Sequence, residues 1–115
     1  MYSYKVLWYT ESADSDTGEI NYEETTLGLL KKTEKKDGKF TVVEIHFGHI
    51  PDVEVYDKAV LRIFDGNKRI IMENTLEIYE NGNVEIHEST GSYKKVSLEE
   101  CTLVGNELHC EVYWA

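Results

Sequence analysis

Leu76-Glu77-Ile78-Tyr79-Glu80-Asn81-Gly82-Asn83-Val84-Glu85-Ile86 decides the fold, because apolar residues alternate with polar ones on both sides of an Asn-Gly turn signal. The register follows from asking which loop length places apolar side chains opposite one another. A three-residue loop with Gly82 in the left-handed conformation pairs Ile78 with Val84 and Leu76 with Ile86. A two-residue loop would set Ile78 against Glu85 and Leu76 against His87. The stretch therefore predicts an antiparallel hairpin with one apolar and one wet face.

Working outward, three further turn signals, Asp37-Gly38, Asp65-Gly66 and Gly105-Asn106, separate runs of the same kind, such as Val43-Glu44-Ile45-His46. A three-residue loop ending at Gly38 aligns Leu29 with Ile45 and Leu27 with Phe47. A four-residue loop over 65–68 matches Ile63 with Ile70 and Leu61 with Met72. A two-residue loop at Gly105-Asn106 pairs Leu103 with Leu108 and Cys101 with Cys110. Val96 and Leu98 have the opposite parity to Cys101 and Leu103, and a bulge at Glu99-Glu100 turns all four inward.

The strands expected are about 2–10, 19–33, 39–50, 53–64, 69–79, 83–88, 93–104 and 107–114. Gly28 marks a bend within the long second one. No segment holds a helical period over the roughly ten residues a helix needs. The fold class is all-β, a single domain over 1–115. About eight antiparallel strands in a hairpin meander imply an up-and-down, calycin-like barrel or a meander sandwich. In a barrel the first and last strands, carrying Trp8 and Trp114, pair to close it. Residues 11–18 read as a flexible acidic surface loop.

A chain of 115 residues hides about 65% of its unfolded surface, enough for one core without metal or disulfide support. The opening Met1-Tyr2-Ser3-Tyr4-Lys5 leads directly into a strand, with neither a signal-peptide pattern nor a membrane-spanning run after it, so the expected location is cytoplasmic. The net charge of −10 arises from 22 acidic and 12 basic residues, unevenly placed. Val6 to Leu30 holds six acids and no base, and Ile70 to Tyr93 holds five and no base. After Lys95 come only Glu99, Glu100, Glu107 and Glu111, whereas Lys31, Lys32, Lys35, Lys36 and Lys39 crowd one hairpin. Such a surface repels phosphate backbones, which argues against direct nucleic-acid binding, and it steers toward a basic partner. The same acids also serve plain solubility and blunt sheet edges.

Candidate chemistry is sparse. Cys101 and Cys110 form a cross-strand pair compatible with a disulfide, or with two facing buried thiols. Glu44, His46 and His49 lie close along one strand and Glu85-Ile86-His87 repeats the theme, but an alternating strand with a polar face produces this spacing unaided, so no metal is assigned. Asp14-Ser15-Asp16-Thr17-Gly18 lacks the later ligands of a calcium loop. No nucleophile elbow or cofactor motif is present, and the expectation is a protein that is not an enzyme and carries no cofactor.

The expected function is a small acidic binding protein that binds or inhibits a protein partner with a basic surface, using Glu44, Glu77, Glu85, Glu111, Tyr9 and Tyr113. One alternative is a calycin-like barrel whose cavity, lined by Trp8, Leu29, Ile45 and Ile63, takes a small apolar or sugar ligand. A weaker one is a nucleic-acid mimic whose rows of glutamate imitate phosphates.

Overall fold

A computed structural model describes residues 1–53, 55–87 and 95–115, and their regular elements are all β-strands. They are β1 (Ser3–Ala13), β2 (Ile20–Thr26), β3 (Gly28–Asp37), β4 (Phe40–Gly48), β5 (Tyr56–Phe64), β6 (Ile70–Tyr79), β7 (Val84–Ile86), β8 (Val96–Val104) and β9 (Glu107–Trp114). Two antiparallel sheets result, a five-stranded one in the order β2-β1-β5-β6-β7 and a four-stranded one in the order β3-β4-β9-β8. Among the described residues there is no helix long and apolar enough to cross a membrane. The expected ends of strands at Glu88 and Tyr93 lie outside the described residues.

The deciding hairpin has the expected register, Leu76 opposite Ile86 and Ile78 opposite Val84, with Gly82 at φ 90°. Leu103 faces Leu108, Cys101 faces Cys110, and a register shift between Leu98 and Glu100 supplies the bulge that turns Val96, Leu98 and Cys101 inward. The two cysteines are buried free thiols with their Sγ atoms 3.2 Å apart, not a disulfide.

The barrel is corrected to a sandwich. β1 and β9 belong to different sheets, so they do not pair to close a cylinder. Instead β1 pairs with β5, and β9 inserts between β4 and β8. The long second strand is two: it breaks at Leu27, leaves the edge of one sheet as β2 and enters the edge of the other as β3. Strands that switch sheets at a bend form the corners of sandwiches, and Gly28 sits at this one.

Two turn registers are also corrected. Asp37 lies opposite Phe40, so Gly38-Lys39 is a two-residue turn, and a bulge at Leu30 leaves Leu29 opposite Phe47 and Lys32 opposite Ile45. Apolar pairing does not govern here because β3 is an edge strand with every side chain exposed. The Leu30 side chain fills the space beside Gly48, where a Cβ would lie 2.6 Å from its Cδ1. At the other turn, the Asp65 carboxylate accepts from the backbone N–H groups of Asn67 and Arg69 at 2.8 and 2.9 Å, which extends the loop by one residue. Phe64 then faces Ile70, Ile63 faces Met72 across a bulge, and Leu61 faces Asn74.

The expected loop over 11–18 is shorter. β1 runs to Ala13, and the turn after it is held by Asp14, whose Oδ1 accepts from the N–H groups of Asp16 and Thr17 at 2.8 and 3.1 Å.

The inward faces of both sheets supply one apolar cluster containing Val6, Trp8, Ile45, Phe47, Leu61, Ile63, Leu76, Leu108 and Val112. Each such side chain contributes roughly 1.5–3 kcal/mol through burial. The Trp8 indole N–H is satisfied inside this core by Asp57 Oδ2 at 2.8 Å. Polar residues on the alternate positions therefore face outward on both sides of the sandwich.

Candidate functional site

Alternation and sheet order divide the six expected partner-binding residues between two outer faces. Tyr9, Glu77 and Glu85 share the outside of the five-stranded sheet, whereas Glu44, Glu111 and Tyr113 share the outside of the four-stranded one.

On the five-stranded face, β1 places Tyr9 opposite Glu24 of β2 and Lys58 of β5, and Glu11 opposite Tyr22. A groove of about 310 Å³ opens between them, lined by Tyr9, Glu11, Tyr22, Tyr56, Lys58 and Thr75 among others. The Tyr56 ring continues into Tyr79, centroids 5.9 Å apart. The Tyr79 hydroxyl donates to Glu77 at 2.7 Å and to Glu85 at 3.4 Å. The bond to Glu77, followed by desolvation and the nearby carboxylate charges, pushes the Tyr79 phenol up to about 12. The same bond lowers Glu77, helped by the charges of His87 and Lys58. Tyr22 belongs to this site although it is not among the residues expected from the sequence. Its position between Asn21 and Glu23 on an exposed strand was the available signal.

On the four-stranded face, β4 and β9 are central neighbours. His46 lies opposite His109 and Glu44 opposite Glu111. The two imidazoles stack, centroids 3.5 Å apart and planes within 4°. Glu44 bonds His46 Nε2 at 2.6 Å, and Glu107 bonds His109 Nε2 at 2.9 Å. From β8, Glu100 faces Glu111 and Thr102 faces His109. A shallow groove of about 170 Å³ is lined by Glu44, Glu100, Thr102, His109 and Glu111. The hydrogen bond from His46 holds Glu44 below the usual carboxylate range, with the charges of His46, Lys31 and His109 adding to it. Tyr113 donates to Glu111 at 3.2 Å, and this bond raises its phenol. His109 was absent from the sequence reading, because a strand order of sequential neighbours keeps β4 and β9 apart. His49 is directed elsewhere, with its Nδ1 3.0 Å from Asn106 Nδ2.

Of the four expected cavity residues, Trp8, Ile45 and Ile63 are fully buried in the shared core, but Leu29 is 48% exposed on the β3 edge. The structure thus brings three of the four together and leaves out the last.

Compared with protein-family models, with curated proteins and with solved structures, the chain matches none. Its class rests on its own geometry, an antiparallel β-sandwich with two charged and chemically distinct outer faces.

Proposed function

We propose that this protein is a non-enzymatic binding module that captures a basic protein partner on the outer face of its five-stranded sheet. The supporting observation is the groove in which Tyr9, Tyr22 and Tyr56 stand beside Glu11, with Glu24, Glu77 and Glu85 on the same face. Tyrosine faces attract lysine and arginine side chains through the ring quadrupole, and neighbouring carboxylates complete the recognition by charge-assisted hydrogen bonds. Lys58 in the groove wall faces Glu77, so it does not reverse the acidic balance of the face. Blocking the partner's basic surface would make the module an inhibitor. The two unbridged thiols of Cys101 and Cys110 suit a reducing compartment, and a cytoplasmic location is part of the proposal.

The test is capture from lysate of the source cell at low salt and at ~0.5 M salt, with the retained protein identified by mass spectrometry. A stoichiometric basic partner that is released by salt is expected. Tyr9→Ala and Glu77→Gln should weaken its capture, and Glu111→Gln on the opposite face should not. Salt-insensitive capture would overturn the electrostatic basis, and equal loss with Glu111→Gln would overturn the choice of face.

A further inference from the structure

The four-stranded face carries a second arrangement that partner capture on the opposite side does not use. Three adjacent strands put Glu44, Glu111 and Glu100 in one cross-strand row, and the next row is His46, His109 and Thr102. Like charges opposed across a ladder are destabilising. The apolar core lies on the other side of the sheet and makes no use of these groups. A cation between the rows would offset the repulsion.

We infer that this patch is a binding site for a divalent transition-metal ion of the Zn²⁺ type, with His46, His109 and Glu44 as ligands. Their donor atoms all lie within 4.8 Å of one another. A tetrahedral centre with bonds near ~2.1 Å separates its donors by roughly 3.4 Å, so the site closes by rotation of side chains on a rigid sheet. The stacked rings are parallel and offset by their 3.5 Å separation, so no single point lies in both ring planes. Coordination therefore requires one imidazole to turn about its Cβ–Cγ bond so that the two lone pairs converge. Two imidazole nitrogens and one carboxylate oxygen favour Zn²⁺ over the oxygen-seeking Ca²⁺ and Mg²⁺. Glu107 is a positioning residue, since its bond to His109 Nε2 orients the ring from outside the ligand set. The His46 and His109 side chains retain 14% and 21% exposure, which leaves solvent access for an ion. Glu77, Glu85 and His87 form the comparable group on the other face, but it offers one imidazole where the first offers two.

Calorimetric titration of the chelator-treated, dialysed protein with ZnCl₂ tests the inference, beside His46→Gln, His109→Gln, Glu107→Gln and His87→Gln. One equivalent should bind. Affinity should fall at least tenfold in each of the first two variants, roughly tenfold in Glu107→Gln, and not at all in His87→Gln. Thermal unfolding in chelator shows that each variant is folded. Imidazole nitrogen NMR of the unaltered protein gives an independent reading, in which Zn²⁺ moves His46 and His109 resonances and leaves His49 and His87 in place. Binding that survives His46→Gln and His109→Gln, loss confined to His87→Gln, or no response to millimolar Zn²⁺ would overturn it.

Discussion

The Trp114 indole N–H donates a hydrogen bond to the Tyr4 hydroxyl at 3.0 Å, joining the last strand of one sheet to the first strand of the other. A side-chain contact thus stands where a continuous barrel would have a backbone ladder. Tyr2 adds to the seam, its ring centroid 4.3 Å from that of Trp114.

Tyr4→Phe removes the acceptor for that indole and should cost about 1 kcal/mol. Urea denaturation with an unchanged slope would measure it. No change in midpoint would mean that the seam is held by ring packing.

Trp8→Phe should be more severe. It takes the indole N–H away from Asp57 and leaves a void in a site with no exposure. The expected loss is about 3 kcal/mol, from the lost buried hydrogen bond together with the cavity. Urea unfolding checks this, and a loss below about 1 kcal/mol would show that the pair contributes little.

Tyr79 is predicted to be among the last tyrosines to ionise. Its folded pKa of about 12 lies above the ordinary tyrosine value of 10.0, because the hydroxyl donates to Glu77. The folded state therefore holds this proton more tightly than the unfolded one. The resulting stabilisation is complete below pH 10 and is lost as pH rises through about 12. NMR titration of the Tyr79 ring follows it, and Glu77→Gln should bring the midpoint down toward the ordinary tyrosine range.

The thiols of Cys101 and Cys110 should resist a water-soluble disulfide reagent in the native protein and react together on denaturation. Both are buried, and the mutual hydrogen bond, followed by burial, pushes the Cys110 thiol well above its ordinary value, so thiolate is scarce. Rapid modification of the native protein at neutral pH would contradict this.

Gly82→Ala tests the deciding turn. A Cβ there meets nothing within 4 Å, so the cost is that of the left-handed backbone at φ 90°. About 1–2 kcal/mol is expected, read as a lower thermal midpoint with the sandwich retained.

The parts of the fold legible in the sequence were those decided within a few residues of a turn. Ile78 opposite Val84, Cys101 opposite Cys110 and the bulge near Glu99 each follow from local parity and loop length. Pairings between distant segments carried no comparable signal. Nothing adjacent to β4 in sequence indicates that β9 lies beside it, and the meeting of His46 with His109 was hidden for that reason. Edge position concealed a different error. Leu29 and Leu30 look like inward residues, yet an exposed edge does not require apolar partners, and the two-residue turn at Gly38-Lys39 shifted the hairpin, with the bulge at Leu30 changing only its far end. The acidic and aromatic composition of the candidate groove was legible, but its assembly from β1, β2 and β5 depended on the same long-range order.

β2 and β3 follow one another with a single break at Leu27, and their side chains are exposed along both strands, with only Leu27 buried between them. Besides the backbone ladders to β1 and β4, the segment is held at that residue, through its side chain and the bond from its N–H to the Val6 carbonyl at 3.0 Å. If the segment peels away, β1 and β4 lose their outer neighbours together, and two interior strands become sticky templates in a single event. The protection of both sheets against cross-molecular strand pairing thus rests on one segment that crosses between them at Leu27.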